Sequence, residues 1–165
     1  MTSAFARVRT SRIGIVAAVA VLILDILTKG WAVSALSDGR DIHIFWTLHF
    51  ALTHNEGMAF STRTNVGPII GMLAIVVIAI LIFTMRKQSS VVSIVATGCI
   101  IGGATGNVLD RVFRGSGFMD GAVVDFIDFR WWPVFNVADI GIVCGAIAVA
   151  YNMITTQPET TEGNQ

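Results

Sequence analysis

The chain has 165 residues, of which 54% are hydrophobic and only 13% are charged. A soluble domain carries about 25% charged residues, so this composition excludes a soluble domain and a disordered chain. The 11 basic residues balance the 11 acidic ones, which leaves no positive surface of the kind that binds nucleic acid. The length predicts a single domain over residues 1–165, and its mean hydropathy of +0.73 predicts an integral membrane domain.

Several apolar stretches are long enough to cross a hydrocarbon core, which takes about 20 helical residues. They cover residues 13–35, 66–85, 91–109 and 138–154. Arginines before the first stretch raise the alternative of a cleaved signal peptide, but Asp25, Lys29 and the length of the stretch argue against cleavage. The sequence therefore predicts an all-α polytopic membrane protein with four transmembrane helices.

The orientation is predicted from Lys and Arg in the short flanks of the spans. Five basic residues fall on each side of the membrane: Arg7, Arg9, Arg12, Arg86 and Lys87 against Arg40, Arg63, Arg111, Arg114 and Arg130. The first group is dense, because it occupies a short tail and a tight turn, whereas the second is spread over two long segments. We therefore expect both termini in the cytoplasm and the segments 36–65 and 110–137 outside it.

The two outer segments have short patterns that are not helical. In the first, residues 41–50 alternate apolar and other side chains, which is typical of a strand, and the second contains residues 123–129. Trp131-Trp132-Pro133 breaks any helix and is typical of the aromatic belt at a membrane interface. The sequence thus predicts a small extracytoplasmic β-rich segment beside the helices.

The sequence shows no metal or cofactor motif. The three histidines, at 43, 49 and 54, lack ligand spacing on a helix. Cys99 and Cys144 lie in apolar runs, where we interpret them as small buried hydrophobic residues. We therefore expect neither a metal nor a cofactor.

Ionisable groups in or beside spans are costly and indicate function by default. Asp25 and Lys29 have the i, i+4 spacing of a helical ion pair, which either neutralises itself or takes part in binding. Asn107, Asp110 and Arg111 follow a run of small residues, so they form either a packing seam ending in an ion pair or a functional face.

Two aspartates lie next to apolar residues near the last span. Asp125 is flanked by Val124 and Phe126, and Asp139 lies at the start of the fourth apolar run. Two such carboxyl groups can share one proton and activate a water molecule. A proton relay or structural hydrogen bonds remain alternatives, because the two residues are 14 positions apart and no helical geometry brings them together.

The chain resembles the lipoprotein signal peptidase family, also called signal peptidase II. The resemblance extends from about residue 25 to residue 142 and rests on five blocks in the family's order. They are Asp25-Ile26-Leu27-Thr28-Lys29, Asn55-Glu56-Gly57-Met58-Ala59-Phe60, the stretch from Gly103 to Arg111, Val124-Asp125-Phe126-Ile127, and Phe135-Asn136-Val137-Ala138-Asp139.

This resemblance implies an aspartic endopeptidase of the bacterial cytoplasmic membrane. It would cleave prolipoproteins just before a diacylglyceryl-modified cysteine, at the extracytoplasmic interface, as a monomer among membrane lipids and without a cofactor. The resemblance implies that Asp125 and Asp139 are catalytic. It implies a substrate-binding or dyad-supporting role for four residues, Asn55, Asn107, Arg111 and Asn136, and a structural role for Asp25, Lys29 and Asp110. Asp120 and Asp128 fall outside the catalytic positions.

Two other classes of protein fit parts of the sequence. A small transporter or proton channel would also place acids in spans, but it would carry them at mid-membrane within inverted repeats. A non-catalytic assembly factor would explain the glycine-rich seams but not two aspartates with apolar neighbours. Cleavage of a lipidated prolipoprotein by the purified protein would separate the three classes.

Overall fold

The computed structural model describes residues 2–57 and 66–156, and it describes the backbone alone for residues 2–11. The elements in chain order are α1 (Thr2–Leu36), β1 (Asp41–Phe45), β2 (Leu48–Asn55), α2 (Gly67–Met85), α3 (Val91–Phe113), β3 (Val123–Asp128) and α4 (Val137–Thr155). Within these residues, four helices are long and apolar enough to cross a membrane. The predicted fold class, four spans with a small β-rich part, is confirmed.

The third helix is longer than its apolar run. It extends to Phe113, four residues beyond the predicted end at residue 109. Asp110 and Arg111 are therefore helical rather than part of an outer segment, and both are buried. The hydropathy pattern predicts an early end of the span because charged residues are costly in a membrane. Asp110 is tolerated there because it pairs with Lys29 and Arg114 inside the protein.

Helix α3 is the centre of the bundle. Half of the residues in the most apolar stretch of α3 are buried in the protein, compared with 11% of those in α2 and in α4. Its glycines allow this close packing: a Cβ on Gly102 would overlap the backbone oxygen of Ala18 in α1, and one on Gly103 would overlap that of Ala138 in α4. Small residues at helix contacts let backbones approach in this way.

The sheet has the order β1-β2-β3 and is antiparallel throughout. The single strand predicted over residues 41–50 is instead a hairpin, which turns at Trp46 with a left-handed φ of 49°. Alternation continues on both sides of the turn, so the pattern could not reveal it. The pairing of β2 with β3 places Thr53 opposite Asp125 and Asn55 opposite Val123.

An aromatic cluster attaches the sheet to the end of α1. Trp31 packs edge-on against Phe50 and Phe126, with ring centroids 5.3 and 6.0 Å apart. Large exposed aromatic side chains surround this end of the bundle: Phe45, Trp46, Phe113, Phe118, Trp131 and Trp132. Such rings are typical of the boundary between a bilayer and water.

Candidate active site

Asp125 lies in β3 and is 2% exposed. Both of its carboxyl oxygens accept hydrogen bonds from amides: Asn136 Nδ2 donates to Oδ1 at 2.6 Å, and Asn55 Nδ2 donates to Oδ2 at 3.1 Å. Asn55 is itself held at the end of β2, where its Oδ1 accepts the Gly57 N–H at 2.9 Å. The turn at Gly57, with φ of 88°, thus helps to orient one donor to Asp125.

Asp139 lies in the first turn of α4, within a reciprocal cap. Asn136 precedes the helix, and its Oδ1 accepts the Asp139 N–H at 3.0 Å. In return, Oδ2 of Asp139 accepts the Asn136 N–H at 3.2 Å. Asparagine is among the preferred N-cap residues because its side chain satisfies a helical N–H. The cap therefore fixes the direction of the Asp139 carboxyl group.

Two asparagines connect the aspartates. Asn136 contacts both through the bonds described above, and Asn107 in α3 donates from Nδ2 to Oδ1 of Asp139 at 2.9 Å. Oδ1 of Asn107 also lies 3.2 Å from Nδ2 of Asn136. The tertiary structure thus brings Asp125 and Asp139 into one network, together with the three asparagines that the sequence singled out.

Asp125 has a raised pKa. Burial is the largest cause and the negative charge of Asp139 also contributes, and the net result is a pKa of about 6 instead of the ordinary 3.8. Hydrogen bonds from Asn55 and Asn136 and the positive charge of Lys29 act in the opposite direction. A carboxyl group with such a pKa suits general acid–base catalysis.

Both aspartates line one cavity of about 650 Å³ between α2, α3, α4 and the sheet. Its walls are mostly apolar and include Ile70, Val108 and Ile142. Gly71 lines it and packs closely against Met119, since a Cβ on Gly71 would come within 2.5 Å of Met119 Cε. Gly71 carried no signal in the sequence, because a lining position depends on packing alone.

Arg111 faces the same cavity from α3 and is 5% exposed. Its guanidinium lies beside Gly57 and Gly67, where a Cβ would approach its nitrogens to 3.5 and 3.2 Å. Within residues 2–57 and 66–156, no hydrogen-bond acceptor is paired with the buried Nη1. A buried donor of this kind, facing a cavity, can bind a carbonyl oxygen of a ligand.

The Asp25–Lys29 pair belongs to a larger buried cluster. Lys29 Nζ lies 2.8 Å from Asp25 Oδ2 and 2.8 Å from Asp110 Oδ2. It also donates to Oδ1 of Asn107 at 2.9 Å, a contact that the i, i+4 spacing could not predict. Asp25 Oδ1 accepts the Ala138 N–H at 2.9 Å, next to Asp139. The cluster therefore links α1 and α3 to the start of α4.

The two remaining acids of the second outer segment make only local bonds. Asp128 pairs with Arg130 at 3.1 Å, and Asp120 accepts the Gly117 N–H at 2.9 Å. Neither lines the cavity. Three residues of the second sequence block, Met58, Ala59 and Phe60, lie outside the described residues.

Neither Cys99 nor Cys144 lines the cavity, and none of the three histidines does. Cys144 lies on an exposed face of α4 and Cys99 is half-buried, so the expectation that both are buried was wrong. In the part of the chain that the structure describes, no cluster of three or more His, Cys, Asp or Glu residues could hold a metal ion.

Comparisons with known proteins agree with this architecture. The sequence model of signal peptidase II matches residues 17–155. The chain is 41% identical to the lipoprotein signal peptidase of Rhodococcus jostii over 86% of this chain and 72% of that one. It is also 41% identical to that of Mycolicibacterium smegmatis, over 84% of this chain and 60% of the relative.

Solved structures share the fold of this chain. One structure of a bacterial membrane enzyme, determined by the in meso method, has a TM-score of 0.74 and 25% identity, covering 92% of this chain and 93% of its own. A second gives a TM-score of 0.75, also at 25% identity, covering 87% of this chain and 94% of its own. The resemblance inferred from the five sequence blocks is confirmed. The chain therefore belongs to the signal peptidase II family of bacterial membrane peptidases.

Proposed function

We propose that the chain is a membrane-embedded aspartic endopeptidase that removes the signal peptide from diacylglyceryl-modified prolipoproteins, cutting just before the lipidated cysteine. The observation that carries the aspartic mechanism is that Asp125 and Asp139, from different elements, line one cavity within one hydrogen-bond network. The choice of a lipidated substrate rests on the membership of the family.

The two carboxyl groups would share one proton and activate one water molecule. Asp125 is the member of the pair that holds the proton, because burial raises its pKa to about 6. Asp139 takes a proton from the water as the water oxygen attacks the scissile carbonyl carbon. The proton of Asp125 passes to the carbonyl oxygen. The tetrahedral intermediate collapses when Asp139 gives its proton to the leaving amine, the C–N bond breaks, and one hydroxyl of the intermediate returns a proton to Asp125. General acid–base catalysis typically contributes about 10²–10⁴-fold to the rate.

Asparagines and Arg111 would hold the reacting groups in position. Asn55 and Asn136 each donate to a different oxygen of Asp125, so the two amides fix the orientation of its carboxyl group. Arg111 would bind substrate backbone oxygens through the planar fork of its guanidinium. Fixed donors in a partly dry site stabilise developing negative charge more strongly than water does.

The location of the cavity suits a substrate that lies in the bilayer. Three membrane-crossing helices form its apolar walls, and exposed aromatic rings surround the same end of the bundle. With both termini in the cytoplasm, as the basic residues indicate, this end lies at the extracytoplasmic face of the cytoplasmic membrane. We propose that a single copy of the chain carries the complete site, since one chain supplies both aspartates.

The test is cleavage by the purified protein in detergent. A diacylglyceryl-modified prolipoprotein and the same prolipoprotein without lipid are incubated with it, and mass spectrometry locates the cut. We expect cleavage of the lipidated form immediately before the modified cysteine, and none of the unlipidated form. Cleavage that a chelator abolishes and zinc restores would overturn the aspartic mechanism.

A further inference from the structure

Lys29 is a buried lysine, 1% exposed, in the middle of the network behind the two aspartates. Its ammonium group reaches three acceptors: Asp25 Oδ2 and Asp110 Oδ2 at 2.8 Å each, and Asn107 Oδ1 at 2.9 Å. An ammonium group has three N–H donors and no acceptor. The contacts with the two carboxylates are ion pairs, whereas the contact with the uncharged amide of Asn107 is a hydrogen bond.

The contact with Asn107 decides which way that amide points. The oxygen and nitrogen of an asparagine side chain have almost the same shape, so either could face Asp139. Because Lys29 can only donate, Oδ1 of Asn107 must face it, and Nδ2 then points at Asp139 Oδ1, 2.9 Å away. The reversed amide would place N–H against the ammonium and a carbonyl oxygen against the carboxylate.

Asn136 cannot fix this orientation by itself. Its Nδ2 carries two hydrogens but lies near three acceptors: Asp125 Oδ1 at 2.6 Å, Asn107 Oδ1 at 3.2 Å and Val124 O at 3.3 Å. The bond to Asp125 is the shortest, so Asn107 receives at most a shared hydrogen. Lys29 is thus the donor that holds the Asn107 amide.

We propose that Lys29 is a positioning residue of the aspartic dyad, which acts by fixing the amide of Asn107 so that Nδ2 holds the Asp139 carboxyl group in place. The proposal rests on the proposed function, because it requires that Asp139 takes part in the reaction. Lys29 lies away from the cavity of the dyad and lines a second one of about 360 Å³ with Asp25, Asp110 and Arg114. Lys29 therefore acts on the dyad through Asn107 and not from the lining of the dyad's cavity.

The test compares Lys29→Met with Arg114→Met in the full-length protein. Arg114 Nε lies 2.5 Å from Asp110 Oδ1, so Arg114 is the second cation on that carboxylate, and it makes no bond to Asn107. We expect Lys29→Met to lower kcat about 10- to 100-fold, since a small misplacement of a reacting group has such an effect. KM should stay within about twofold, and Arg114→Met should keep its kcat within about twofold.

The pH profile provides a readout that a structural role would not move. The charge of Lys29 lowers the pKa of Asp125, so the alkaline limb of kcat should shift to higher pH in Lys29→Met and stay in place in Arg114→Met. Equal kcat losses in the two variants, a kcat of folded Lys29→Met within twofold of the parent, or an unmoved limb would overturn the proposal.

A second variant covers the case in which Lys29→Met does not fold, because Asp25 would lose its cation. In the double variant Lys29→Met/Asp25→Asn, Asp110 keeps Arg114 as its partner. We expect its kcat to be about 10- to 100-fold below that of the single variant Asp25→Asn, with KM within about twofold, and a kcat within twofold of Asp25→Asn would overturn the proposal. Turnover by Asp125→Asn or Asp139→Asn would overturn the dyad itself, whereas inactive dyad variants beside a fully active Lys29→Met overturn only the role of Lys29.

Discussion

Asn136 donates to Asp125 at 2.6 Å while its own oxygen accepts the N–H of Asp139 at 3.0 Å. One residue thus caps a transmembrane helix with its side-chain oxygen, holds the Asp125 carboxyl group with its side-chain amide, and holds the Asp139 carboxyl group with its backbone N–H. Because Asn136 is fully buried, nothing else can take over either bond. The stability of α4 and the geometry of the site therefore depend on the same residue.

The dyad itself is tested by single amide substitutions. Asp125→Asn and Asp139→Asn should each lower the cleavage rate by at least about 10²-fold, since an amide cannot take or share the proton. Both proteins should still insert and fold. Asp128→Asn is the matched control from the same strand; its bonds are to Arg130, so most of the activity should remain. Substantial turnover by either dyad variant would rule out the assignment.

The pKa of Asp125 predicts how stability depends on pH. Burial raises it from 3.8 to about 6 in the folded protein, so the stabilisation from the bound proton is complete below about pH 4 and is lost as the pH rises through 6. Relative to Asp125→Asn, the parent should therefore lose up to about 3 kcal/mol between pH 4 and pH 7.5. Thermal unfolding in detergent at the two pH values measures this difference. A constant difference in Tm would contradict the raised pKa.

Two substitutions at Asn136 separate the cap from the catalytic contact. Asn136→Ala loses both and should lower the free energy of unfolding by about 0.5–2 kcal/mol through the missing cap alone. Asn136→Ser keeps a good N-cap oxygen, so it should be more stable than the alanine variant. Neither retains the amide that donates to Asp125, so both should cleave more than about tenfold more slowly. If the serine variant were fully active, the contact with Asp125 would not matter for catalysis.

Arg111 should tolerate lysine for folding but not for catalysis. Lysine keeps the charge but lacks the planar fork that fits peptide oxygens. Losing one or two such bonds corresponds to about 1–3 kcal/mol, roughly 5- to 150-fold in kcat/KM. Initial rates against substrate concentration, at matched amounts of folded protein, measure the change. Equal values of kcat/KM for Arg111→Lys and the parent would leave the asparagines as the proposed substrate contacts.

The orientation in the membrane is tested with reporter fusions. A fusion at Gln88, in the connection between α2 and α3, should report a cytoplasmic location. A fusion at Gly117, between α3 and β3, should report an extracytoplasmic one. The charge distribution predicts this arrangement because dense basic flanks stay inside. The opposite pattern would place the candidate site at the cytoplasmic face.

The number and type of the main elements could be predicted from the sequence. Helix length and mean hydropathy are properties of a continuous stretch, so four spans follow from local composition. Strand alternation is local as well, and the strand pattern over residues 41–50 falls on β1 and the first part of β2. The hairpin turn at Trp46 and the extension of α3 to Phe113 were not predicted, because each depends on partners far away in the sequence.

The sequence by itself determined which polar residues are unusual, because charges and amides among apolar residues are costly wherever they lie. Only the tertiary structure decided that Asp125 and Asp139 face one cavity and that Lys29 reaches Asn107, 78 positions away. Those contacts arise where α3 packs tightly on α1 and α4 through glycines such as Gly102 and Gly103. Packing of this kind acts between segments that are distant in the chain, so no local pattern records it.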